Sequence, residues 1–158
     1  MSLVPGLNSA VDLFHKLQRD AERLNREVTS DAFFNFVITG YSLVDWIKND
    51  PAMPASTKTT AVRDGLYREP WLKVCGDLAN ASKHFMLTHR VPVTTEAKST
   101  SGYGMGRCGA GAFNIGEETI EIQVRDEKGI ESEWTALEFV TGVIQVWLGF
   151  FARHKIAT

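Results

Sequence analysis

A chain of 158 residues with 44% hydrophobic and 23% charged side chains is one globular domain, too short for two cores and too apolar for a disordered tail. Its net charge of -2 gives no overall attraction to nucleic acid or to an anionic membrane, so either partner would need a local patch. Two cysteines, Cys75 and Cys108, lie in no CxxC and make no disulfide framework, which points to a reducing compartment and to the cytoplasm.

The first predicted helix runs over about 9–28. Ala10, Phe14, Leu17, Ala21, Leu24 and Val28 recur every three or four residues, and Ser9 followed by Asp12 has the form of a capping box. No charged leader with an apolar run and cleavage site precedes it, so export by that route is not expected. A second helix over about 30–48 takes Ser30 as its N-cap and stops at Asn49, Asp50 and Pro51. Apolar residues cover more than half of its circumference, leaving a polar strip of Asp31, Asn35, Thr39 and Ser42. This pattern predicts a central, nearly buried helix.

"PAMPASTKT" reads as a linker. The third helix, about 69–85, has Pro70 in its first turn. Over about 90–125 the period changes to two, at Val91 and Val93, at Phe113 and Ile115, and strictly at Ile120, Ile122 and Val124. "DEKG", residues 126–129, then leads to a last helix over about 133–154. Its apolar run, 139–152, falls short of the ~20 residues that cross a bilayer, so a buried core helix is expected and no membrane partner. The predicted fold class is therefore mainly α. It is a single domain, 1–158, built as a four-helix up-and-down bundle with a small antiparallel β-hairpin or three-strand meander inserted before the last helix.

Charge is divided along the chain. Seven Lys or Arg between Thr57 and Lys98 face four acids, whereas Ala112 to Val140 carries eight acids against Arg125 and Lys128. Two differently charged solvated faces account for this, and nucleic acid binding would have to use the basic stretch. "GMGRCG" satisfies GxGxxG at Gly104, Gly106 and Gly109, but a dinucleotide loop needs a strand before it and a helix after it. A strand is predicted after it, so the segment reads as a hairpin loop, with ligand binding beneath it as a further alternative.

The candidate site comes from "DLANASKHF", residues 77–85. On a helical wheel Lys73, Asp77, Asn80 and His84 fall within about 60 degrees, one polar stripe opposite the apolar face that holds Trp71, Val74, Cys75 and Leu78. Cys75 and His84 lie on nearly opposite sides of that helix and form no dyad, so Cys75 is assigned to the core. Asp45, in the crowded second helix, is expected to need a cation or hydrogen-bond donors nearby, with Arg23, Asn80, Lys83 and His84 as candidates. The predicted polar cluster is therefore Asp45, Lys73, Asp77, Asn80, Lys83 and His84, acting either as an interhelical clamp or as a site with a tuned histidine. Asp45, His84 and His89 are poorly spaced for one ion, and neither metal nor cofactor is expected.

Two phrases carry a resemblance. "FNFVITGYSLVDW", residues 34–46, and "LANASKH", residues 78–84, resemble a group of small uncharacterised bacterial proteins with F-N-F-x-x-T-x-Y-x-x-x-D-W and L-A-N-x-x-K-H elements. The pattern, over roughly the first 90 residues and the last helix, also looks like a distant relative of the HEPN helical bundles, many of which are ribonucleases acting as dimers. Catalytic HEPN proteins place an arginine ahead of a histidine with four to six residues between them. No such pair occurs here, and Lys83 with His89 keeps the spacing with a point charge where the bidentate fork would be. The function expected is a non-catalytic binding or assembly module, as a homodimer or with another protein partner. The enzyme alternative is a HEPN-like ribonuclease in which His84 assists 2'-hydroxyl attack and Lys83 or Lys73 holds the phosphate.

Overall fold

The computed structural model describes residues 5–83, 92–101 and 118–158. The chain is mainly helical, with a three-stranded antiparallel sheet ahead of the last helix.

Helix α1 (Ala10–Arg26) starts at the capping box the sequence signals. The Ser9 hydroxyl accepts from the Asp12 N–H at 3.1 Å, and the Asp12 carboxylate accepts from the Asn8 and Ser9 N–H groups at 2.9 and 3.0 Å. These bonds, that from Asn8 foremost, hold the Asp12 carboxyl below its ordinary range. Helix α2 (Ser30–Asn49) is capped by Thr29, whose hydroxyl accepts from the Ala32 N–H at 3.2 Å, so the boundary falls one residue before the expected Ser30. The extended backbone that a cap requires belongs to Thr29.

The two helices form an antiparallel pair whose open ends are closed by one side chain. Asp50, just past α2, is buried and accepts from the Ala10 N–H at 2.7 Å and the Ala52 N–H at 2.8 Å. The carboxylate occupies the start of α1, where unpaired N–H groups and the helix dipole both favour negative charge.

The stretch expected to be a linker is a short 3-10 turn (Ala55–Thr57) followed by helix α3 (Thr60–Arg68), so five α-helices occur among the described residues where four were predicted. Thr59 caps α3 by accepting from the Val62 N–H at 3.3 Å. Only Val62 and Leu66 pack inward from α3, too few apolar positions for a visible period. Helix α4 (Pro70–Lys83) begins at the expected proline. Glu69 is extended, as a residue before proline prefers to be, which separates α4 from α3.

The sheet has the order β1-β2-β3, with β1 Thr94–Ser101, β2 Glu118–Arg125 and β3 Glu131–Thr135. Ile120, Ile122 and Val124 of β2 point into the core, and Ile122 lies opposite Trp134. The turn at Asp126–Gly129 needs Gly129 at φ +80, and the Asp126 side chain accepts from the Lys128 and Ile130 N–H groups, both at 2.8 Å. That turn leads into β3, not directly into the last helix as expected. "ESEWT" hides a strand because Trp134 is its only large apolar residue. Helix α5 (Ala136–Arg153) therefore starts at Ala136, not Glu133, behind a capping box of Thr135 and Glu138. The expected strand at Phe113 and Ile115, and Val91, lie outside the described residues.

Helix α5 is 18 residues long, enough by length and composition to cross a membrane, so the shortfall inferred from 139–152 does not hold for the whole helix. Its inner face is core: Phe139, Val143, Trp147 and Phe151 are each at most 1% exposed. Phe151 meets Phe14 of α1 at 4.8 Å between ring centroids, and Phe139 meets Phe33 and Phe36 of α2 at 5.6 and 6.3 Å. Burying one such ring contributes about 1.5–3 kcal/mol, several times a surface ion pair. Against α4, Gly142 lets α5 approach the Trp71 indole so closely that any Cβ there would overlap the ring.

Gly142→Ala is therefore expected to lower stability by about 1–3 kcal/mol, since its methyl would lie 2.3 to 2.7 Å from atoms of the Trp71 ring and the packing there must shift. Gly149→Ala, in the same helix with open space around it, is expected to raise stability by up to about 1 kcal/mol. Thermal unfolding of the two variants checks both signs.

Candidate functional site

The α4 stripe does not face solvent. Asp77 is 3% exposed, and its Oδ2 accepts from the Val93 and Thr94 N–H groups at 2.8 and 3.1 Å where the chain enters β1. One turn earlier, Lys73 reaches the turn between β2 and β3 and pairs with Glu127 at 2.6 Å, which holds the Glu127 carboxyl below its ordinary range. Asn80 on the same stripe is half-buried. The polar face of α4 is thus the surface on which the sheet sits, a role invisible while the helix is considered alone.

Asp45 corrects the expectation most clearly. It is exposed, and the predicted cluster does not form around it among the described side chains. The solvent strip of α2 runs through Asp31, Phe34, Asn35, Asp45, Lys48 and Asn49, rotated from the strip inferred from polarity. Thr39 goes inside and Phe34 comes out, at 4% and 50% exposure. Arg23, one proposed partner of Asp45, lies 3.8 Å from Asp20. The Lys83 side chain and all of His84 and His89 lie outside the described residues, as do Cys108 and the GxGxxG glycines.

Among the described residues a buried network joins α1 to α2. Lys16 Nζ donates to Asp20 Oδ2 at 2.5 Å and to Thr39 Oγ1 at 2.7 Å, and the Thr39 hydroxyl donates to Asp20 Oδ2 at 3.1 Å. Asp20 is 3% exposed. Its signal was present in the sequence: Asp20 sits between Leu17, Ala21 and Leu24 on the apolar side of α1, with a lysine four residues before it. Buried carboxylates need such partners, because an unpaired one costs several kcal/mol.

Cys75 lies in the core as expected, its thiol donating to the Val37 carbonyl at 3.3 Å. Burial alone pushes its pKa far up, so the thiolate scarcely forms near neutral pH. Among the described residues no three of His, Cys, Asp and Glu converge into a group that could hold a metal ion. Lys48, Lys58 and Arg63 surround a hollow of only about 10 Å³, room for one water.

The larger concavity lies between the first half of α2, the middle of α4 and the inner side of the sheet. Its volume is about 220 Å³, and Phe33, Phe34, Val37, Leu78, Ala97 and Ile120 supply the apolar lining, with Ser30, Lys98 and Ser99 the polar part. Glu118, at the start of β2, accepts from the Ser30 N–H and so ties the sheet to the α2 end of this groove. Leu78 follows directly on Asp77, so the carboxylate that seats the sheet also places one wall. The arrangement can take up apolar surface. Comparison with protein-family models, curated proteins and solved structures finds no match to this chain.

Replacing Asp77 by Ala removes the acceptor of two charge-assisted bonds and should cost about 2–4 kcal/mol, read from denaturant unfolding. In the folded protein Cys75 should resist alkylation by iodoacetamide at pH 8 and react once denaturant is added, as peptide mass spectrometry would report.

Proposed function

We propose that the protein is a non-catalytic binding or assembly module, a cytoplasmic homodimer that presents apolar surface to a protein partner. The reading rests on the open groove beside Phe34, which leaves a phenyl ring half exposed next to apolar walls. Exposed apolar concavities of this kind are where proteins meet other molecules. The buried acids point the same way: Asp20, Asp50 and Asp77 all hold elements together, which favours the clamp over the tuned-histidine reading of the α4 stripe. The four longer helices support an up-and-down four-helix bundle as the helical frame. Helix α1 contacts α2 and α5, and α4 contacts the same two, with α3 added outside.

The test pairs native mass spectrometry with an RNA incubation. A dimer is expected, together with intact single-stranded RNA after prolonged incubation with wild type. RNA cleavage that His84→Ala abolishes without lowering the melting temperature would overturn the non-catalytic reading in favour of a HEPN-like ribonuclease.

A further inference from the structure

We propose that the outer edge of β1 is the dimer contact, with a second copy of the same strand laid antiparallel against it so that Ala97 faces Ala97 across the two-fold axis. This deepens the assembly reading above and rests on it.

Among the described residues β1 pairs only with β2, so alternate backbone N–H and C=O groups along its other side point away from the sheet. Residues 95–99 are all exposed. Such an edge is a template for another strand, and what decides between a template and a blunted edge is the side chains it carries.

Here they are complementary to themselves. Pairing with β2 sets the faces: Lys98 lies opposite Glu121 and Glu96 opposite Gln123 on the outer face, whereas Ala97 and Ser99 lie opposite Ile122 and Ile120 on the inner one. An antiparallel copy centred on Ala97 puts Glu96 opposite the partner's Lys98, and Lys98 opposite the partner's Glu96. Two cross-strand ion pairs form on one face, and none of the four charges meets its like. In the single chain Lys98 bonds Glu96 within its own strand at 2.8 Å, so both side chains already lie together on that face. A shift by one residue in either direction breaks this match, so the charges set the register as well as the affinity.

The groove supplies the second argument. It runs beneath β1, and Phe34 stands half exposed at it. A strand added to β1 extends the roof of the groove over that ring. The inward residues it would bring, Ala97 and Ser99, are small enough to pass above a phenyl group. The bulge between Thr94 and Glu96 is confined to the first residues of β1 and leaves Glu96–Ser101 in regular register.

Charge exchange tests the contact directly in the full-length protein. Glu96→Lys makes the strand doubly positive and Lys98→Glu makes it doubly negative, so each variant alone faces two like-charge pairs. Sedimentation velocity is expected to show the wild type as a dimer and each variant with a dissociation constant raised about tenfold or more. An equimolar mixture of the two is expected to dimerise again. Phe34→Ser, at a half-exposed site, is expected to weaken the dimer in the same direction with the melting temperature of the monomer kept. A wild-type dimer that both charge variants and Phe34→Ser leave intact would overturn the β1 contact while the assembly reading stands. A wild type that stays monomeric at every concentration would overturn the assembly reading itself.

Discussion

One carboxylate determines where the sheet can sit. Asp77 is out of water on α4, and the two amides it holds, of Val93 and Thr94, are those that start β1. Moving the sheet along α4 would strand a buried charge, which costs several kcal/mol, a large part of what any small domain has in hand. The strand that opens the sheet is therefore registered to a helix before it is registered to another strand. The inner face of β1, the wall formed by Leu78 and the groove between them all follow from that placement.

The same device recurs. Asp50 bonds the first residue of α1 from beyond the end of α2, and Asp20 with Lys16 and Thr39 joins the middles of those two helices. In each case a short acidic side chain serves a donor on a different element. Apolar burial supplies most of the stabilising free energy, but it is tolerant of small slides and rotations. The acids are not, since their bonds fail within a few tenths of an ångström, and they select one arrangement among the many that would bury the same rings.

What the sequence revealed follows from which signals are local. The capping box at Ser9 and Asp12, the proline that opens α4 and the alternation in "TIEIQVR" are all properties of a few neighbouring residues, and each is found where it was expected. Helix α3 and strand β3 were missed because each has only one or two inward residues and leans on elements distant in sequence. The candidate site was only partly legible. Asp77 stood in the predicted polar stripe, but the donors it serves are backbone amides sixteen and seventeen residues on, which no side-chain pattern announces. Asp45 was misjudged because a helix rich in apolar residues still has a solvent strip, and polarity alone placed it at Thr39 when packing put it at Phe34.

The contact between Trp71 of α4 and Trp134 of β3 has an optical consequence. With ring centroids 4.1 Å apart and planes inclined at 37°, the two indoles are close enough for their excited states to mix. The folded protein then carries an exciton couplet in circular dichroism that belongs to the seam between helix and sheet rather than to either one. Because Gly142 of α5 also lies against Trp71, the couplet responds to α4, α5 and β3 together. The fold thus contains its own chromophore pair for following the docking of the sheet, separately from the formation of the helices.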